Sequence, residues 1–443
     1  MFAQIAALRK RVFYGWWIVG AGSFSMFSGG LHNQGFSVFF IPIRESLHLS
    51  STATSLIFAA ARLEGGLEAP IAGKLIDRFG SRVMLAVGAS LAGLGYILLG
   101  LFARDFWSFF LIYTLVISTG FSAGFFSAIM AAYNTWFRRY RGIVFGTLHA
   151  SIRAGGFILV PIVSFLVLNL GWQKAAVVCG VIILSITLPS SMVFRRSPES
   201  MGLLPDGDRP TSVPPRQTQG NHRAPIHASQ VHEFTLSEAS KTPAFWVLAL
   251  AQGVRQAAVG AIAVHAIPMF VWQGSSQQGA AYLVGLMSFL SIPSALFLGW
   301  VADRMRKGLV VALGSIVGVA ALLLFATATH TWQVYLFILL FAFSESVGPI
   351  PIALTGEFFG RRNFATIRGA MQFFSTFASF GTPIYAGWVW DKTDSYKWAL
   401  VTFAVAAGVA AALFFFLRPP KTPASATVPV ATRGEPTAPQ HPS

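Results

Sequence analysis

Five ionisable residues occupy places where charge is expensive. Arg62, Glu64, Arg153, Arg255 and Glu345 each lie inside a long apolar stretch, 11 to 14 residues from one of its ends. If those stretches are helices, the rise of about 1.5 Å per residue puts all five at heights of about 16 to 21 Å, near the middle of a bilayer. Arginine suits a carboxylate because its planar fork donates two parallel hydrogen bonds and it stays protonated at any physiological pH. Glutamate can take up and release a proton. The expected chemistry is therefore anion binding linked to proton movement, with Arg255, Arg153 and Arg62 as substrate anchors and Glu345 as a proton carrier. Helical spacing adds His149, one turn before Arg153, and Glu68, one turn after Glu64. Arg62 and Glu64 fall about 200° apart on their helix, so Glu64 and Glu68 are assigned to neighbouring helices or to protons. Tyr133, Asn134, Gln252 and Gln372 are expected to orient the substrate, with Asn33 and Gln34 as further polar candidates. His32 and His265 are expected to be satisfied by hydrogen bonds.

The elements that must hold these residues follow from composition. Of 443 residues, 54% are hydrophobic and only 11% charged, against about 25% charged in soluble domains. Most of the surface must then face lipid. Twelve stretches are long enough to cross a bilayer, which takes roughly 20 mostly apolar residues. The first six run approximately from 14 to 36, 51 to 76, 83 to 103, 106 to 136, 142 to 170 and 173 to 194. The second six run from 243 to 271, 278 to 302, 309 to 327, 332 to 359, 365 to 390 and 398 to 417. The organisation expected is an N-terminal six-helix bundle (1–194), a Pro-, Ser-, Gln- and His-rich linker (195–242), a C-terminal six-helix bundle (243–417) and a disordered tail (418–443). The first stretch exceeds a signal-peptide core and no small-residue cleavage site follows, so it is expected to stay as a helix.

The net charge of +16 reads as topology rather than as affinity for nucleic acid. Arg78 and Arg82, Arg138, Arg139 and Arg141, Arg195 and Arg196, Arg304, Arg306 and Lys307, and Arg361 and Arg362 fall in alternate connections on one side. By the positive-inside rule that side is the cytoplasm and both termini are cytoplasmic. The single cysteine, Cys179, allows no intramolecular disulfide or cysteine-based metal site. There is no zinc-type histidine cluster, P-loop or G-x-S-x-G nucleophile. An enzyme is not expected, nor any catalytic residue, metal or cofactor; the absence of a nucleotide motif leaves an ion gradient as the source of energy.

An internal repeat gives the strongest motif. GKLIDRFGSR, Gly73 to Arg82, returns as GWVADRMRK, Gly299 to Lys307, 226 residues later. With twelve spans and a central linker, this pattern resembles the major facilitator superfamily along the chain to about Leu417. The resemblance implies an all-α membrane fold of two pseudo-symmetric six-helix bundles, and a gate on the linker side. Gly73 would permit close helix approach, Asp77 would pair with arginine or cap a helix, Arg78 and Arg82 would complete the network, and Asp303 with Arg304 would repeat it.

Three further stretches, YGWWIV (Tyr14 to Val19), WFRRYRGIVFG (Trp136 to Gly146) and FFGRRNFATIRGA (Phe358 to Ala370), resemble the monocarboxylate transporter and oxalate/formate antiporter branch. That resemblance implies a small organic acid, a monocarboxylate or a dicarboxylate, as substrate, with a proton or counter-anion as partner, in a monomer of the cytoplasmic membrane. The branch generally carries an arginine in its eighth helix, whereas Gln278 through Leu298 contains no charge, so any anion partner must come from elsewhere. An exporter of an amphipathic compound is the alternative, prompted by 41 phenylalanines.

Overall fold

The computed structural model describes residues 13–137, 140–208, 233–360 and 363–420. Arg138, Arg139, Arg361 and Arg362, which the orientation argument uses, lie outside the described residues, as do the side chains of Asp77 and Arg141. Among the described residues every regular element is helical. Before the linker come α1 (Tyr14–Asn33), α2 (Phe36–Ser46), α3 (Ser51–Phe79), α4 (Ser81–Phe102), α5 (Phe106–Trp136), α6 (Arg141–Leu170) and α7 (Trp172–Ser191). After it come α8 (Pro243–Trp272), α9 (Gln277–Ala302), α10 (Lys307–Ala326), α11 (Thr331–Glu345), α12 (Ile350–Phe359), α13 (Phe364–Thr393) and α14 (Lys397–Phe415).

Local chemistry sets the boundaries. Ser50, Thr242 and Ser276 each accept a backbone N–H with the side-chain hydroxyl and so start α3, α8 and α9. Asp105 and Ser108 form a reciprocal cap at the start of α5. Gly80 and Gly171, at φ of 83° and 80°, make the abrupt corners between α3 and α4 and between α6 and α7. Among the described residues nine helical spans are long and apolar enough to cross a membrane. The other three spans, α1 with α2, α3, and α13, are comparably long but more polar, carrying among others Asn33 and Gln34, Arg62, Glu64 and Glu68, and Arg368 and Gln372.

Two spans are interrupted. The first does not stop near Phe36; it breaks at Gln34 and Gly35, where both backbone N–H groups return to the Gly30 carbonyl, and continues to Ser46. The tenth breaks between Ser346 and Pro349, where Gly348 weakens the helix and Pro349 and Pro351 cannot donate to it. In α5 the turns widen to π-helical over Ile112–Ser118 and Gly120–Phe126. Such irregular backbone inside a membrane span is tolerated where it is buried in protein or lines a cavity.

Small residues bring the helices together. A Cβ placed on Gly88 of α4 would stand 2.3 Å from the Gly124 Cα of α5, and one on Gly30 of α1 would stand 2.7 Å from the Gly155 carbonyl carbon of α6. Any side chain there would force the pairs apart. The two sets of spans meet chiefly where α3 packs on α13, α6 on α9 and α2 on α8.

That meeting is one-sided. On the face away from the linker, Asp391 of α13 accepts the Ser51 and Thr52 backbone N–H groups, each at 2.8 Å, and the Thr52 hydroxyl at 2.6 Å. His265 of α8 bonds Ser55 of α3 at 2.9 Å, and Gln278 of α9 donates to the Pro161 carbonyl of α6 at 3.1 Å. Toward the linker face no hydrogen bond joins the two sets among the described residues, and a Cβ at Gly73, Gly146, Gly299 or Gly369 would meet nothing within 4 Å. The molecule is open toward the linker.

Candidate functional site: a charged chamber between the halves

Glu345 is the last residue of α11, next to the break, and Arg153 stands mid-way along α6. Their side chains form a two-point ion pair between the halves: Arg153 Nη1 donates to Glu345 Oε2 at 3.1 Å and Nη2 to Oε1 at 2.6 Å. The fork-to-carboxylate geometry satisfies both oxygens at once, as a charge pair in a low-dielectric setting requires. Beside the pair is a cavity of about 30 Å³, lined also by Asn33, Gln34, Met287 and Phe341. That is room for one water rather than for a substrate.

Arg255 is 7% exposed on α8, and its Nε has no hydrogen-bond partner. A Cβ on Gly348 would stand 3.1 Å from its Nη2, so the guanidinium reaches the interruption in the tenth span. The end of α11 presents unpaired carbonyls and partial negative charge there, which lessens the cost of the cation. Arg62 of α3 is exposed, although it lies inside its span. Its Nη1 crosses to the other half, 2.7 Å from where a Gly260 Cβ would be. Arg62 and Arg255 both feel the Glu345 carboxylate. Neither makes a salt bridge with a described carboxylate. Four of the five residues singled out by depth thus lie around the meeting of the halves, Arg153 and Glu345 lining the cavity, Arg62 reaching Gly260 and Arg255 reaching Gly348.

The fifth, Glu64, faces elsewhere. Its Oε1 accepts the Thr119 hydroxyl of α5 at 2.8 Å, between the two π-helical stretches, while its Oε2, like Glu68 Oε1, is buried without a partner. The pair sits on the inner wall of a lateral groove of about 620 Å³ whose rim includes Leu67, Ile71 and Trp107. Those rim residues are 51%, 62% and 67% exposed, as lipid-facing side chains are.

The remaining candidates divide in the same way. Gln252 is 3% exposed with Oε1 unpartnered, on the face of α8 that carries Arg255. His149 is exposed one turn from Arg153, and Gln372 is half-buried on α13. Tyr133 does not reach the chamber: it is fully buried and its hydroxyl donates to the Val19 carbonyl at 2.9 Å, so it ties α5 to α1. Asn134 is exposed close to the linker-side end of α5, away from the chamber.

On the linker face Arg304 lies over the Trp300 ring at 4.1 Å and donates to the Trp300 carbonyl, while Arg78 lies over Phe79 at 5.3 Å. Arg82 and Asp303 are exposed with no ion pair among the described residues. Among the described residues the repeated motif is bridged only within the second half, where Lys307 pairs with Glu357, and Gly73 faces space rather than a close helix.

Gln34, already a polar candidate in the HNQG run, is 8% exposed with an unpartnered Oε1 at the break of the first span. Two features escaped the sequence reading. His32 stacks on Phe121 at 4.2 Å with Nδ1 unpartnered, rather than being satisfied by hydrogen bonds. His265, by contrast, bonds Ser55, Tyr396 and the Pro383 carbonyl as expected. Arg368, one turn into α13, has a buried Nη1 without a partner; its position so near the span's entrance disguised it as an interface charge.

Comparison with known proteins matches this architecture. The family model described as Major Facilitator Superfamily matches residues 22–383 and 266–439. Monocarboxylate transporter 12 of Xenopus laevis is 24% identical over 88% of this chain and 85% of that relative. The probable sulfoacetate transporter SauU of Cupriavidus necator is 29% identical over 35% of this chain and 36% of its own length. The crystal structure of a bacterial homolog of the human lysosomal transporter Spinster superposes with a TM-score of 0.68 at 14% identity, covering 93% of this chain and 99% of that one.

Proposed function

The chain belongs to the major facilitator superfamily, and on that premise we propose that this multi-pass membrane transporter carries a small organic anion by alternating access, coupled to a proton or exchanged against a second anion. The observation that carries the reading is the ion pair between Arg153 and Glu345 across the halves, with Arg62 and Arg255 at the same level and without carboxylate partners. An anion entering the vestibule meets Arg62 and Arg255 first. Its carboxylate then competes with Glu345 for Arg153, and a proton on Glu345 removes the competitor. Gln252 and His149 orient the guest; Glu64 and Glu68 offer a second place for a proton.

Loss of the inter-half pair loosens the bundles, and the linker face closes as Asp77, Arg78, Arg82, Asp303 and Arg304 come together. The two six-helix bundles, 1–194 and 243–417, are the moving bodies. The linker face is the cytoplasmic one, and the protein acts as a monomer in the cytoplasmic membrane. The likeness to a monocarboxylate transporter and to a probable sulfoacetate transporter supports an organic acid.

The test is flux of a panel of organic acids into proteoliposomes under an imposed pH gradient. Arg255→Gln or Arg153→Gln is expected to abolish carboxylate flux while the protein stays folded; full activity in both variants would overturn the reading. The apolar lateral groove favours a second reading, export of an amphipathic compound. Efflux of such compounds without organic-acid flux in the same vesicles would select it.

A further inference from the structure

The lateral groove carries charge that the anion chemistry does not use. It runs along the seam where α3 and α5 meet α13, with a volume of about 620 Å³, and its walls are aliphatic and aromatic, including Phe106, Trp107 and Phe110 of α5 and Phe380 of α13. Among the described residues that line it, only Glu64 and Glu68 are ionisable. Both are half-buried, and being one helical turn apart they share a face of α3. Arg62, about 200° away around the same helix, reaches toward Gly260 of the other half instead.

Three oxygens of residues lining this groove have no hydrogen-bond partner: Glu64 Oε2, Glu68 Oε1 and Thr114 Oγ1. Thr114 is 4% exposed. Hydroxyls elsewhere in the spans bond the carbonyl one turn back, as those of Ser90, Thr135 and Ser151 do, whereas Thr114 lies in the first π-helical stretch of α5 and makes no such bond. Thr119 meets Glu64, and Thr114 stands about one π-helical turn before it, toward Phe110 and Trp107. The groove is thus acidic at one end and aromatic at the other. Two adjacent carboxylates beside lipid do not both stay ionised without a countercharge.

We propose that this groove binds a lipophilic primary amine, drawn from the surrounding lipid as its ammonium ion, with the ammonium on Glu64 and Glu68 and the apolar part along Phe110 and Trp107. An ammonium brings three N–H donors and no acceptor, and an alkylamine stays protonated at neutral pH as a lysine side chain does. A hard metal ion would want about six oxygen ligands, which the apolar walls do not supply. Proton and ammonium compete for the same oxygens; one leaves as the other enters, and the net charge of the groove is unchanged. The site stands apart from the organic-anion chamber and assumes nothing about what is carried there.

The test is saturable binding of radiolabelled dodecylamine to the full chain in phosphatidylcholine nanodiscs, with binding to empty discs subtracted and dodecanol as the uncharged tail. Wild type is expected to take up one amine per chain, at least about tenfold more tightly than dodecanol, from charge-assisted hydrogen bonds, and more tightly as the pH is raised and protons leave the carboxyls. Glu64→Gln combined with Glu68→Gln is expected to bring the amine down to the level of the alcohol and to remove the pH dependence; a melting curve identifies any loss of fold. Absence of saturable amine binding, dodecanol bound as tightly as the amine, or an affinity independent of pH would each overturn the assignment in wild type alone. An amine affinity unchanged in the folded double variant would overturn it as well. Organic-anion flux is a separate measurement: loss of this site leaves the carrier reading standing, and absence of that flux leaves this site standing.

Discussion

The two ends of the interface between the halves are built on opposite principles. Away from the linker, polar groups meet in detail: Asp391 closes the start of α3 through three hydrogen bonds, and His265 joins α3, α8, α13 and the Tyr396 hydroxyl in one network. Toward the linker, glycines on α3, α6, α9 and α13 face open space, and among the described residues no ion pair of the charged repeat joins the two halves. A carboxylate accepting backbone N–H groups at a helix start is stabilised by both hydrogen bonding and the helix dipole. The closed end is therefore held by specific bonds. The open end is free to close because its glycines leave nothing in the way. The Arg153–Glu345 pair stands at the frontier between these regimes.

The comparison breaks most severely if the closed end cannot part. In a Cys179→Ser background, Thr52→Cys with Asp391→Cys places two thiols where the hydroxyl and carboxylate now lie 2.6 Å apart. Oxidation is expected to abolish transport completely, and reduction to recover it; full transport by the cross-linked protein would show that this end never opens.

A smaller effect is expected at the frontier. Glu345→Ala strands Arg153 among two other guanidiniums, and with the pair 28% and 15% exposed it should cost about 2–4 kcal/mol of stability, the partial exposure lowering the value for a fully buried pair. Arg153→Glu combined with Glu345→Arg should recover much of that in a melting curve, whereas Arg153→Ala with Glu345 intact should not.

The smallest effects separate the two kinds of glycine. Gly155→Ala would press a Cβ to within 2.1 Å of the Phe27 carbonyl oxygen and is expected to cost about 1–3 kcal/mol. Gly73→Ala meets nothing in this conformer and should leave the melting temperature within a degree or so, with its effect confined to the turnover rate. A fall in melting temperature for Gly73→Ala equal to that of Gly155→Ala would show that the linker face is packed at rest.

The spans were legible because hydropathy over 20 residues needs no partner to be read, and the depth of Arg62, Arg153, Arg255 and Glu345 followed from counting along a helix. Pairing was not legible. Arg153 and Glu345 are 192 residues apart and on different halves, and no local spacing distinguishes that partnership from one between Glu345 and Arg255. The faces of α3 were separable by the 200° between Arg62 and Glu64, which matches the division between chamber and α5. Tyr133 was misleading because a hydroxyl's partner, here the Val19 carbonyl, is set by how closely two helices approach. The breaks at Gln34–Gly35 and Ser346–Pro349 carry glycine and proline in sequence, but so do α6, α9 and α13, which continue through Pro161, Pro293 and Pro383.

The interruption in the tenth span has a mechanical result. Because α11 ends at Glu345 and α12 begins anew at Ile350, no continuous ladder of backbone bonds stiffens the corner between them. The ten residues of α12 form a short lever that can tilt on its own, with the ionisable carboxyl at its pivot. On the proposed mechanism, a proton gained or lost at Glu345 is geared to movement of α12 at the mouth without the outer part of the span having to shift.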